Sequence, residues 1–351
     1  MRTLHATTKF IFCLGFLALG LLLPAFSAAA QSFTFTTIDV PCASCSGGIA
    51  RRTAAGEINA AGAIVGTFTD AVGAQHGFLL SGGQFTTIDV PGSLVGATGT
   101  LPTIARAIGP SGDIVGQFVA PYHPPASTTV GFDSPAYCPA AGSPACIKGF
   151  LYSRGQFSAV LFPGYPGAIP GHITPGGSIY GCYHKFDTMT SMFSAAWTRS
   201  GDTSIAAGGG ALSDPSLSYP CSMHGGATPD GKTTVGFYGD MANGCLTNHG
   251  YILQNGSLQT FDVPNSISTV VWDINPGYEL VGTYVDLAGK QHGFLQLSDG
   301  SAPITLDVPS TSPFNAVSTV AQGINPAGAI VGQYKDTSGH VHGFLAVPAS
   351  D

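Results

Sequence analysis

Apolar and polar positions alternate along this chain in short runs of four to seven residues. The runs are rich in β-branched and aromatic types and are bounded by Gly, Pro, Asn or Asp, the pattern of half-buried strands joined by tight turns. One set of runs recurs six times. Its best copies read F-T-T-I-D-V-P, then I-N-x-x-G, then I-V-G-x-Y/F, then D-x-x-G-x-x-H-G-F-L. A glycine in the third segment marks each copy, at Gly66, Gly116, Gly181, Gly236, Gly282 and Gly332, with spacings of 50, 65, 55, 46 and 50 residues. A period of that length marks a repeated supersecondary unit. Four antiparallel strands per unit, repeated six times, predict an all-β chain folded as a six-bladed β-propeller.

The turn residues agree with this. Asn325-Pro326-Ala327-Gly328 has the composition of a type I turn, repeated at Gly109 to Gly112, Thr174 to Gly177 and Thr228 to Gly231. A second turn is supplied by Asp70 to Gly73, Asp286 to Gly289 and Asp336 to Gly339, and Asn255-Gly256 reads as a two-residue type I′ hairpin. The ends of the chain are complementary. A Phe-Thr-Thr strand (Phe35 to Pro41) comes first with no His-Gly-Phe strand before it, and a His-Gly-Phe strand (His342 to Leu345) comes last with no Phe-Thr-Thr strand after it. Pairing the two closes the ring and leaves no open sheet edge. The rival is an open solenoid of stacked β units, in which the two terminal strands lie far apart.

Register gives the histidines a role. Centring hairpins on Asn255-Gly256 and Gly82-Gly83 sets His249 across from Asp262 and His76 across from Asp89; His292 and Asp307 follow with a longer turn. In the divergent units both partners change together, with Lys148 facing Leu161 and Ala195 facing Gly208. The remaining partners, His342 and Asp39, meet only in a closed ring. These pairs read as cross-strand hydrogen bonds that stiffen each unit. Spread around a ring, they stand too far apart to share one ion.

Composition adds a compartment. Residues 1–30 carry Arg2 and Lys9, an apolar run from Phe10 to Leu23 and a small-residue site at Ser27 to Ala30, the three parts of a secretory signal peptide. The expected domain plan is therefore 1–30 signal peptide and 31–351 a single six-repeat propeller, exported to the periplasm or the outside. No stretch reaches the ~20 apolar residues of a membrane helix. Without Arg2 and Lys9 the chain has 10 Lys+Arg against 19 Asp+Glu, an acidic balance that excludes a nucleic-acid role. Charged residues are 9% of the chain, against roughly 25% in an average domain. Seven cysteines remain after processing, so an oxidising compartment leaves one unpaired. Cys138 and Cys146 bracket one loop and are the best expected bridge. Cys42-Ala-Ser-Cys45 reads as a local disulfide ahead of a redox pair or half a zinc site.

The His-Gly-Phe triplets at His76, His292 and His342, with the Gly-Ala-Ile-Val-Gly runs at Gly62 to Gly66 and Gly328 to Gly332, resemble those of the extracellular proteins named for His-Ala-Phe repeats. The likeness covers most of residues 31–351, with the third and fourth units diverging: Trp197 stands at the Phe position there. What the resemblance implies is an exported repeat protein, with no catalytic residues to carry over.

Alternating strand direction sends the tight Asn-Pro-x-Gly turns and hairpins to one end. The long insertions, residues 42–56, 92–106, 119–147, 208–226 and 310–322, go to the other. Variable loops on a rigid frame are where binding sites sit, so the long-loop end is the expected functional face. Its candidate binding residues are Arg51, Arg52, Arg106, Tyr122, His123, Tyr137, His184, Lys185, Asp187 and His224. Only two glutamates occur, Glu57 and Glu279, both near the tight-turn end. No Gly-x-Ser-x-Gly elbow, His-Glu-x-x-His helix, phosphate-cradling loop or calcium loop is present. The reading is a non-catalytic secreted propeller that binds a glycan, peptide or envelope component, with no catalytic residue, metal ligand or cofactor assigned. The alternatives are a secreted hydrolase or lyase working at the long-loop mouth, and a structural envelope or matrix protein.

Overall fold

A computed structural model describes residues 31–122, 138, 143, 146–162, 167–184, 192–200, 204–208, 221–240 and 244–349. They are all-β, with short 3-10 turns at Ser46–Gly48 and Gly92–Val95. Residues Phe33–Asp351 form one compact unit. Among the described residues no helix is long and apolar enough to cross a membrane.

The strands fall into sets of four. The first set is β2 (Arg52–Ile58), β3 (Ile64–Thr69), β4 (Gln75–Ser81) and β5 (Gln84–Ile88), paired in that order after β1 (Phe33–Ile38). Then come β6 (Thr103–Ile108), β7 (Ile114–Val119), β8 (Ile147–Ser153) and β9 (Gln156–Val160), followed by β10 (Gly167–Ile173), β11 (Ile179–His184), β12 (Met192–Ser200) and β13 (Ser204–Gly208). The fourth and fifth sets are β14 (Met223–Ala227), β15 (Thr233–Gly239), β16 (Asn248–Gln254), β17 (Ser257–Phe261), and β18 (Ser266–Ile274), β19 (Leu280–Asp286), β20 (Gln291–Gln296), β21 (Ile304–Thr305). The last set takes β22 (Ala316–Ile324), β23 (Ile330–Asp336) and β24 (Val341–Pro348), and its fourth strand is β1; a single parallel bridge from Arg52 of β2 to Val341 of β24 joins this set to the first in one eight-stranded sheet. β1 runs antiparallel to β24 from Phe33 opposite Pro348 to Ile38 opposite Gly343.

Each His-Gly-Phe segment works through three contacts. The Phe ring lies on the glycine of the preceding strand: a Cβ at Gly66 would run into the Ala54 carbonyl and stand 2.6 Å from the Phe78 ring. Gly282 and Phe294 repeat the contact at 2.5 Å. The His Nδ1–H faces a carboxylate one strand over, at 2.7 Å for His76 and Asp89, 2.8 Å for His249 and Asp262, and 2.6 Å for His292 and Asp307. His342 and Asp39 meet at 2.9 Å across 303 residues of chain. Nε2 turns to the Asp of the preceding turn, as in His292 to Asp286 at 3.2 Å. Lys148, at the corresponding position of the second set, is fully buried, and burial pushes its pKa down to about 8.

The third set departs from the expected register by one residue. Gly208 pairs with Ala196, not Ala195, because three residues separate Ser200 from Ser204. The cysteines form Cys42–Cys45, Cys138–Cys146 and Cys221–Cys245, leaving Cys182 free and buried among the described residues.

Neighbouring sets are joined by two recurring links. The Val N–H of each Asp-Val-Pro segment donates to a buried threonine on the next first strand: Val40 to Thr53, Val90 to Thr103, Val263 to Thr269 and Val308 to Thr319, at 3.0 to 3.2 Å. At the opposite end, turn asparagines reach sideways. Asn59 Nδ2 donates to the Gly109 carbonyl, Asn275 to Asn325, and Asn325 to Asn59, at 3.3 to 3.4 Å. The first strands touch in chain order, β2 to β6, β10, β14, β18 and β22, and β22 touches β2 again.

Candidate functional site

All six first strands carry an irregularity shortly before the tight turn that follows them, between Ala55 and Glu57, Ala105 and Ala107, Pro170 and His172, His224 and Ala227, Val271 and Asp273, and Ala321 and Gly323. A β-bulge re-aims side chains. The position two residues before each following turn reads Glu57, Ala107, His172, Gly226, Asp273 and Gly323 through the six sets. Ionisable residues thus stand on alternate first strands, with Ala or Gly between them. The small residues are required sterically. A Cβ at Gly226 would collide with Asp273 Oδ1, and one at Gly323 would lie 2.8 Å from Glu57 Cα.

Glu57, His172 and Asp273 converge. His172 Nδ1 is 3.3 Å from Glu57 Oε1 and 3.8 Å from Asp273 Oδ1, with all three side chains about nine-tenths removed from water. Asp273 Oδ1 accepts the Ile274 N–H at 2.8 Å and Oδ2 accepts the Ile324 N–H at 2.9 Å. Burial pushes the His172 pKa down, but the charge and hydrogen bond of Glu57, the charge of Asp273 and a bond to the Ala227 backbone outweigh it, raising the value to about 9. Burial and the Glu57 charge hold the Asp273 carboxyl well above the usual carboxylate range, against the opposite pull of His172.

Two cavities meet at this cluster. The larger, about 330 Å³, is lined by Arg52, Arg106, Trp272, Gln322 and Gln333 together with the three ionisable residues. Arg52 Nη2 donates to Gln333 Oε1 at 2.8 Å, and Arg106 Nε to Gln117 Oε1 at 2.9 Å. The Trp272 Nε1–H is buried with no hydrogen-bond partner among the described residues. The smaller cavity, about 150 Å³, lies on the turn side and is walled by Ile58, Ile108, Ile173, Ala227, Ile274 and Ile324, one residue from each set.

Of the residues expected to form a long-loop site, Arg52 and Arg106 line the larger cavity. Arg51 is exposed beside it in sequence, and Tyr122 is exposed at the end of the second set's described loop. His123, Tyr137, Lys185 and Asp187 lie outside the described residues. His184 and His224 are a correction: both are fully buried strand residues, in β11 and β14. His224 Nδ1 lies 2.6 Å from the Tyr251 hydroxyl, and burial pushes its pKa down to about 4, so it stands neutral in the core. The first strands reach into the expected insertions, as Arg52–Ile58, Thr103–Ile108 and Met223–Ala227, because they are poor in the usual strand formers. Arg-Thr-Ala-Ala-Gly-Glu-Ile and Met-His-Gly-Gly-Ala are strands in which small residues permit close approach, since a Cβ at Gly56 would sit 2.6 Å from the Arg106 carbonyl oxygen. Sequence reasoning passes over His172, Asp273 and Trp272. The available signal is the column preceding the Asn turns, E-I-N, A-I-G, H-I-T, G-A-T, D-I-N, G-I-N, visible once the repeats are aligned on those turns.

No family model matches this chain, and no curated protein matches it in sequence. Among solved structures, a protein of unknown function from Dyadobacter fermentans is similar with a TM-score of 0.50 at 11% identity, covering 90% of this chain and 99% of that one. TolB from Acinetobacter baumannii gives 0.46 at 13% identity over 81% of this chain, and Trypanosoma rangeli sialidase in complex with the inhibitor DANA gives 0.47 at 10% over 91%. The chain spans only 63% and 60% of the lengths of those last two. At such identities the likeness speaks to fold alone.

Proposed function

We propose that this chain is an exported six-bladed β-propeller, closed by β1 on β24, which binds the end of an oxygen-rich ligand such as a glycan in its central cavity. The observation that carries the reading is the donor-rich wall of the 330 Å³ cavity: two guanidinium groups, the three glutamines Gln75, Gln322 and Gln333, and the unpartnered Trp272 N–H line one space. Buried polar groups keep partners, and an oxygen-rich ligand supplies acceptors for all of them. The volume falls at the lower end of small-molecule sites, the size of one or two sugar rings. Closure is supported by the return of first-strand contacts from β22 to β2 and by the Asn325 to Asn59 hydrogen bond across 266 residues. Export is supported by the signal-like leader and by three disulfides. Membership among the His-Ala-Phe repeat proteins belongs to the same proposal.

The test is a calorimetric screen of neutral and acidic mono- and oligosaccharides against the mature protein. A saccharide binding with one site per chain, weakened at least about tenfold by Arg106→Gln and unaffected by Arg51→Gln, is the expected result; one hydrogen bond to a charged group is worth ~1.5–3 kcal/mol. Absence of binding at millimolar concentration, or binding indifferent to Arg106, sinks it. A second reading, hydrolysis in the same cavity, draws on the Glu57 and Asp273 carboxylates; turnover of a bound glycan that disappears in Glu57→Gln would select it.

A further inference from the structure

We infer that Glu57, His172 and Asp273 form a binding site for one divalent transition-metal ion of the Zn2+ or Mn2+ class, at the narrow point between the two cavities. It deepens the cavity-binding reading and shares its location, but its test needs no saccharide, so the two can fail separately.

Three observations converge on it. The donor atoms, one imidazole nitrogen and two carboxylate oxygens, all lie within 4.8 Å of one another. Donors placed about 2.1 Å from a tetrahedral centre stand about 3.4 Å apart, and the nitrogen is 3.3 and 3.8 Å from its two oxygen neighbours. One nitrogen and two oxygens suit a borderline or moderately hard ion.

The second observation is charge. Two carboxylates face one imidazole on side chains largely removed from water. Burying a charge without compensation is costly. A divalent cation carries the two positive charges that match two carboxylates and a neutral imidazole.

The third is how the ligands are supplied. They come from three first strands that are not neighbours, and the strands between them contribute Ala107, Gly226 and Gly323, two of which exclude any side chain. Asp273 is fixed by two backbone N–H donors, one from its own strand and one from β22. Hydrogen bonds of that kind orient a ligating carboxylate. Both cavities touch all three residues, so water or a ligand can reach the ion from either side. An open position beside three protein ligands is the arrangement of an ion that also contacts what the cavity holds.

The experiment uses the full mature chain, stripped with chelator and dialysed against Zn2+ or Mn2+ in turn, with bound metal measured by mass spectrometry and affinity by calorimetry. The expected result is about one ion per chain, with affinity reduced at least about 100-fold in both Glu57→Gln and His172→Asn while circular dichroism shows retained folding. No ion bound at millimolar metal, or one bound equally by both variants, overturns the assignment and leaves a proton-held ionic cluster. Should the variants fail to fold, Mn2+ added to the unmodified protein decides by paramagnetic broadening of the histidine ring signals. Broadening of His172 ahead of the exposed His249 supports the site, and the reverse order overturns it.

Discussion

At the scale of single residues, the repeat motif resolves into separate physical demands on neighbouring positions. The glycine of the Ile-Val-Gly segment exists because an aromatic ring and a carbonyl oxygen both occupy the place of its side chain. Gly282→Ala is therefore expected to lower stability by about 2 kcal/mol or more, read from urea unfolding, since overpacking of a rigid site costs ~1–3 kcal/mol. The histidine makes a different demand. Burial disfavours the charged form of His76, yet its bonds and charge interactions with Asp89 and Asp70 outweigh that and raise its pKa above 6.5. A raised folded-state value means that the stabilisation is complete below the unfolded value and fades as pH climbs through the folded one. The stability gap between the unmodified protein and His76→Gln should be larger at pH 5.5 than at pH 9. An equal gap at both would reduce the residue to neutral packing. This module was legible in the sequence because it repeats and because register alone brings His76 to Asp89; its second carboxylate, Asp70 Oδ2 at 3.5 Å, needed the turn geometry.

At the scale of elements, the first strand of each set carries both the cavity lining and the links to its neighbours. Its small residues and bulge serve the crowded centre, and these same features hide it from a reading based on β-branched and aromatic runs. Arg106 and His224 therefore read as loop residues in the sequence, and the trio on β2, β10 and β18 is legible only once the strands are aligned on their turns. The turn asparagines show what the element scale adds. In Asn325, Oδ1 accepts the N–H groups of Ala327 and Ala329 at 3.0 Å while Nδ2 reaches the Asn59 carbonyl. One side chain thus closes its own turn and ties it to the next set. Asn325→Ala is expected to cost about 1–3 kcal/mol, the penalty of unsatisfied buried groups, and Asn325→Asp should recover part of the turn but none of the lateral link. Thermal unfolding of the pair separates the two roles.

At the scale of the whole molecule, the complementary ends were readable from sequence because each lacks what the other has. The β1–β24 pairing, the Thr37 to Tyr334 hydroxyl contact at 2.9 Å and the Asp39–His342 bond join the two ends. Deleting Phe33 to Asp39 should abolish the single cooperative unfolding transition, whereas an open stack of units would lose little; differential scanning calorimetry distinguishes them. The same joint has a consequence in time. A ribosome adds about 5–20 residues per second, so roughly 15–60 s separate the making of Asp39 from the making of its partner His342, 303 residues later. Throughout that interval β1 is a finished strand with no sheet to join. The earliest-made of the described strands is thus the last to be secured, and any factor that shields a nascent chain has its longest task there.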